Sequence, residues 1–153
     1  MGRDIHVHIV KRCKNEWKEI NLFTEEKDGF ERVSPYDYRD YELFDYLNGN
    51  EDDDFSYIPT PIELETLPNT LKERILKYKD IDGYYGFHEI NMADFRIYLL
   101  KNPTVKDYED ENPNAVKENP LQDFFKTILN YISFVEWQVE KLSDYKVVYW
   151  FDC

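Results

Sequence analysis

Cysteine is nearly missing from this sequence: two occur in 153 residues, Cys13 and Cys153, and no CxxC pair is formed. That excludes a disulfide framework and a CxxC redox or zinc motif, and it points to a reducing compartment with free thiols. Long apolar runs are missing too. No stretch approaches the roughly 18–20 residues that a membrane-spanning helix needs. The opening residues turn polar too soon for a signal peptide, and His6 stands where a myristoylation signal needs Ser or Thr. A cytoplasmic protein without a membrane anchor is expected. Glycine-built signatures are absent as well, with no P-loop, GxGxxG or GxSxG. Basic residues are in deficit, 19 against 32 acids, for a net charge of −13. Such a balance disfavours direct binding to nucleic-acid phosphates or anionic membranes. It suits a basic partner, a metal ion or plain solubility.

Apolar side chains are plentiful: 42% of residues are hydrophobic and 17% aromatic, with 13 Tyr and 10 Phe. A chain of this length and content is expected to fold as one domain spanning residues 1–153. Residues 4–12 alternate, with Ile5, Val7 and Ile9 on one side and Asp4, His6 and His8 on the other, a strand of period two. A turn at Lys14-Asn15 and renewed alternation over 16–23 make an opening hairpin. Ser34-Pro35 has the form of a helix N-cap and first turn, with the helix running to Leu47 and stopping at 48–50. Three prolines make 57–68 an irregular segment, and 51–54 is an acidic loop. Thr70 and Glu73 form a capping box for a short helix to about Lys79. A short strand is expected at 87–90, and a helix at 92–101 capped by Asn91. Residues 104–118 read as a mobile surface loop. The strongest periodic signal runs from Leu121 through Phe124, Ile128, Ile132 and Val135 to Leu142, an amphipathic helix about 35 Å long if it spans 120–142. Residues 146–152 close the chain as a strand. The fold class implied is α+β: a two-layer sandwich whose small, mostly antiparallel sheet comprises the hairpin, the strand near 87–90 and the last strand. The long helix covers it.

Two groups of residues invite a functional reading. Asp4, His6 and His8 share one strand face, where alternate residues lie ~6.6–6.8 Å apart. His88 lies on a second expected strand and Asp152 at the end of a third. Were those strands neighbours, Asp4, His6, His88 and Asp152 would gather at one sheet end. Imidazole and carboxylate together suit a divalent metal such as Zn, Mn or Fe, and they also suit general acid–base chemistry. A metal-dependent hydrolase or a domain binding a phosphorylated ligand, centred on His6 and His88, would follow. Histidines on a sheet face also serve simply as hydrogen-bond partners of their neighbours. Residues 48–54 alternate oxygen ligands but lack the glycine and closing glutamate of an EF-hand loop.

The second group is acidic and tyrosine-rich. Between Tyr36 and Tyr57 stand eight acids, among them Asp37, Asp45, Asp52, Asp53 and Asp54, against the single base Arg39. With Tyr38 and Tyr41 interleaved, this stretch suits docking to a basic protein surface, including one that otherwise holds nucleic acid. Tyrosine gives contact area at low entropy cost, and opposite charge speeds encounter. A solvated helix face and loop would have the same composition.

The opening Met1-Gly2-Arg3-Asp4-Ile5-His6 resembles that of small uncharacterised phage and prophage proteins beginning Met-Gly-Cys-Asp-Ile-His. Arg39-Asp40-Tyr41-Glu42-Leu43-Phe44 is similar to their Arg-Asn-Tyr-x-Leu-Phe. The surroundings of His88 are similar to their Asp-x-His-Ser, and Val148-Tyr149-Trp150-Phe151-Asp152 to their ending. Arg3 stands in place of the group's cysteine, removing a thiolate ligand, and Glu89 in place of its serine. The resemblance implies a phage-related origin, a shared fold and residence in host cytoplasm, and brings no activity with it. Joined to the acidic surface, it suggests an accessory protein that binds a host protein, with inhibition of a nucleic-acid-handling or defence factor as the natural form.

Overall fold

Alternation of apolar and polar side chains over Asp4–Cys13 builds strand β1, and a two-residue turn with Lys14 in the left-handed region (φ 59°) returns the chain as β2, Glu16–Ile20. The computed structural model describes residues 2–49 and 59–153. The expected second strand of the hairpin does not continue to Phe23. The chain leaves the sheet at Asn21 and forms a separate two-stranded ribbon, β3 (Leu22–Glu26) and β4 (Gly29–Val33), which the sequence pattern did not reveal.

Helix α1 spans Tyr41–Asn48, later than the Ser34-Pro35 signal implied. Ser34 Oγ instead donates to the Tyr36 carbonyl, holding a bend, while the Asp40 carboxylate accepts from the Leu43 amide and caps the helix. Gly49 ends it in the left-handed conformation (φ 69°), as the Asn-Gly-Asn signal required. After a short strand β5 (Thr60–Pro61), α2 occupies Asn69–Lys79, with Pro68 rather than a capping box at its start. Strand β6 (Tyr84–Asn91) is longer than 87–90, because Gly83 and Gly86 take positive φ within its approach and length. Asn91 caps α3 (Met92–Lys101), its Oδ1 accepting from the Ala93 and Asp94 amides. The region 104–118 carries a small hairpin, β7 (Thr104–Lys106) with β8 (Val116–Glu118), where a loop was expected. Helix α4 (Leu121–Val135) stops short of Leu142: at Glu136 the chain becomes extended and its carboxylate meets Lys11 at 3.2 Å. Strand β9 (Tyr145–Asp152) follows.

The protein is α+β, with a five-stranded antiparallel sheet in the order β2-β1-β9-β6-β5. Strand β9 is central, and every residue from Tyr145 to Phe151 is buried, as a strand covered on both faces demands. One face packs Ile5, Val7, Ile9, Ile90, Val147, Tyr149 and Phe151 against Leu43 and Phe44 of α1, Phe95 of α3, and Phe124, Ile128 and Ile132 of α4. The other face is covered too. There Leu71 and Ile75 of α2 close over Val10, Val148 and Trp150.

Candidate functional site

Strand alternation sends Asp4, His6 and His8 to the α2 face, as their pattern required, and neighbouring strands fix what each meets. Asp152 lies opposite Asp4 in the β1–β9 register, on the same face as His6. His6 Nε2 is 2.5 Å from Asp152 Oδ2, and both side chains are partly open to water. Asp4 points instead to Arg39, whose Nε donates to it at 2.7 Å. His8 lies deeper. Its Nδ1 is 2.5 Å from Glu19 Oε1 on β2, and Arg32 Nε lies 3.8 Å from the same oxygen. Burial pushes the His8 imidazole below its usual 6.5, outweighing its hydrogen bond to Glu19. Nδ1 then carries the proton that Glu19 accepts. Burial alone would raise Glu19, but its bond to His8 and the charge of Arg32 hold its carboxyl below the usual value. The His6 and His8 rings both stack on Trp150, at centroid distances of 5.7 and 5.1 Å, with Phe87 stacked at 5.6 Å. The Trp150 indole N–H is buried without a hydrogen-bond acceptor among the described residues.

His88 is not part of this group. Strand β6 slips its register between Tyr85 and His88, the mark of a bulge, and Gly86 sits there at φ 69°. Tyr84 faces Asp152 and Tyr85 faces Phe151, so an unbroken ladder would set His88 opposite Val148, on the face of His6. The extra residue sets it opposite Tyr149 instead. His88 therefore lies on the other face of the sheet, its ring 5.9 Å from that of Tyr149 and its Nδ1 3.0 Å from the Gly86 carbonyl. Burial lowers its pKa. The expected gathering of Asp4, His6, His88 and Asp152 is thus replaced by separate pairs. Among the described residues no group of three or more His, Cys, Asp or Glu is placed to hold a metal ion. A metal or phosphate centre built on His6 and His88 together has no geometric basis.

A carboxylate-held imidazole such as His6–Asp152 is oriented as a general base would be. Its ring neighbours, however, are Tyr78, Tyr84 and Trp150, an aromatic packing environment. Two open cavities of about 600 and 550 Å³ lie elsewhere, the first between Trp17 and the start of α2, the second between α3 and residues 139–143.

The acidic surface is only partly free. Asp37, Tyr38 and Tyr41 are exposed, with Tyr38 64% and Tyr41 42% accessible. Asp45 is bound by Arg3 at 3.0 Å, Glu42 pairs with Lys117, and Asp40 is occupied as the helix cap. Asp52, Asp53 and Asp54 lie outside the described residues.

Two features escaped the sequence reading. The Lys146 ammonium and Glu89 carboxylate form a pair at 3.3 Å on the α2 face, both almost fully buried. Nothing in a strand pattern marks that pair, since each residue alone looks like an exposed charge. Glu19, by contrast, was within reach. A two-residue turn at 14–15 sets Val10 opposite Glu19, which places Glu19 diagonal to His8 on one face.

Comparison with protein-family models, with curated proteins and with solved structures finds no match to this chain. Among the described residues no helix is long and apolar enough to cross a membrane.

Proposed function

We propose that the protein acts by binding a partner protein with a basic surface, not by turning over a substrate. The observation that carries this reading is the pair of exposed tyrosines, Tyr38 and Tyr41, flanked by the exposed Asp37 on a chain of net charge −13. Tyrosine exposes an apolar ring that gains from burial at an interface, and its hydroxyl keeps the free surface soluble. The surplus of carboxylates raises the encounter rate with a cationic partner and repels anionic ones. Asp52, Asp53 and Asp54 extend the same acidic stretch along the sequence. A nucleic-acid-handling or defence factor of a host cell is the natural class of partner, because its working surface is basic. The likeness of the opening residues to phage proteins supports that choice.

The test is capture from host lysate on the immobilised protein, with captured species identified by mass spectrometry. A triple substitution Asp37→Lys, Tyr38→Ala, Tyr41→Ala is expected to weaken capture of the partner about tenfold or more while the variant keeps the circular dichroism of the folded parent. Reversal of Asp52, Asp53 and Asp54 to lysine is expected to act in the same direction. Undiminished capture by both variants would sink the reading.

A further inference from the structure

The ribbon of β3 and β4 stands outside the five-stranded sheet and, among the described residues, pairs with no other strand. An isolated two-stranded ribbon is marginal in water, so its order must come from its base. Leu22 and Val33, an opposed pair, pack against the main core. The Tyr131 hydroxyl on α4 fastens both, accepting from the Leu22 amide at 2.7 Å and donating to the Val33 carbonyl at 3.2 Å. Arg32 adds bonds to the Val7 carbonyl and to Asn21. Beyond that base every residue from Phe23 to Glu31 is exposed. Phe23 is 55% and Phe30 76% accessible. The register sets Phe23 opposite Arg32 and Phe30 opposite Glu25, which puts the two rings on one face as diagonal neighbours, about 7–8 Å apart. Glu25 shares their face with Arg32, whose guanidinium is held by the Val7 carbonyl and Asn21; Glu26 and Glu31 project from the other face and Asp28 sits in the turn beside Lys27, and none of these four carboxylates is in an ion pair among the described residues. Exposed phenylalanines contribute nothing to the packing of the free protein. Exposed aromatic anchors on a projecting element whose unpaired charges are mainly of one sign are what a docking element presents.

We propose that the β3–β4 ribbon is the element that seats on the partner, Phe23 and Phe30 entering an apolar depression on a basic protein surface. This rests on the binding reading above and names the part of the molecule that anchors it. Charge fixes the occupant: the four carboxylates match a cationic rim and repel a second copy of this acidic chain. The ribbon also runs on towards the exposed tyrosines, Val33 preceding Tyr38 by five residues.

The probe is a dye-labelled amphipathic peptide of alternating lysine and leucine, read by fluorescence anisotropy against the full chain at physiological salt. A matched peptide with glutamate for lysine is the control. The lysine peptide is expected to bind, and Phe23→Ser with Phe30→Ser to weaken it about tenfold or more. Glu25→Lys with Glu31→Lys, which keeps both rings, should weaken it comparably. Ile97→Ser with Leu100→Ser on the exposed side of α3 should leave it unchanged. If the ribbon variants bind normally while Tyr38→Ala with Tyr41→Ala binds weakly, the ribbon inference falls and the binding reading stands. If neither pair matters, both fall. Equal binding of the glutamate peptide, or self-association of the protein lost on Phe30→Ser, would also overturn the ribbon assignment.

Discussion

Replacing Glu89 by leucine strands the Lys146 ammonium beneath α2. The two groups meet at 3.3 Å with 7% and 5% of their residues accessible, so water supplies almost none of the missing solvation. Lys146 would keep its bond to Thr66 Oγ1 at 2.9 Å and its place 4.5 Å from the Trp17 ring centre. Those contacts put the cost near the lower end of the range for breaking a buried pair, about 3 kcal/mol. Lys146→Met leaves Glu89, among the described residues, with the Glu63 amide at 3.3 Å, and should cost a similar amount. For a chain of this size that corresponds to a fall of about 6–12 °C in melting temperature. The double variant Glu89→Leu/Lys146→Met removes both charges and fills the space with apolar atoms. It is expected within about 1 kcal/mol of the parent, a coupling of about 5 kcal/mol or more. Urea unfolding followed by circular dichroism, extrapolated linearly, measures all four states. Single variants costing under about 1 kcal/mol would show a pair screened as at a surface. A double variant as unstable as the two singles summed would show that the charges do not depend on each other.

Stability should fall as the pH falls. His8 and Glu19 are both held below their usual values of 6.5 and 4.5, so the unfolded chain binds the extra protons. Their contribution is whole above the ordinary histidine value and is lost progressively as the pH drops through 6.5 and then 4.5. His88, lowered by burial, adds the same sign. Thermal melts across this range should therefore slope downward with acidification, and His8→Phe should flatten the upper part. A melting temperature that rises on acidification would refute the downward shift of His8. Gly86→Ala tests the bulge: at φ 69° the new Cβ would stand 2.7 Å from both the Phe151 ring and Asn48 Oδ1, at a cost of about 2–4 kcal/mol. A variant as stable as the parent would mean that β6 runs without the slip.

The sequence-legible parts share a physical basis, strong local periodicity with nothing to compete against it. The faces of β1, the cap at Asn91 and the amphipathic face of α4 are all of this kind. Where a local signal competes with a tertiary one, the latter wins. Ser34-Pro35 is a good helix start, yet the helix begins at Asp40, since Tyr36 is drawn into the core against Phe124. The α4 periodicity outlasts the helix because Val139, on the irregular chain after it, and Leu142, in a 3-10 turn, still reach the core. In the candidate site, the face of His6 and its nearness to Asp152 follow from alternation and the position of β9. His88 does not follow, because a single inserted residue reverses the side of everything after it, and only Gly86 hints at where the insertion falls. The ribbon was hidden because Glu25, Glu26 and Glu31 are poor strand formers that its fastened base carries along.

The central position of β9 has a consequence for how the chain reaches this structure. Strands β1 and β6 share no hydrogen-bonded ladder. Each meets β9 along its length, and the pairing of Ile5 with Phe151 spans nearly the entire sequence. Until residues 145–152 arrive, β1 has only β2 beside it and β6 only the two residues of β5. Both halves then present open, sticky edges next to half-made cores. Folding must therefore wait on its most distant contact, which makes it slow for a domain of this length and dependent on shelter while that edge stands open. A segment that mimicked β9 would compete for the same slot, and the fold would be lost at its keystone.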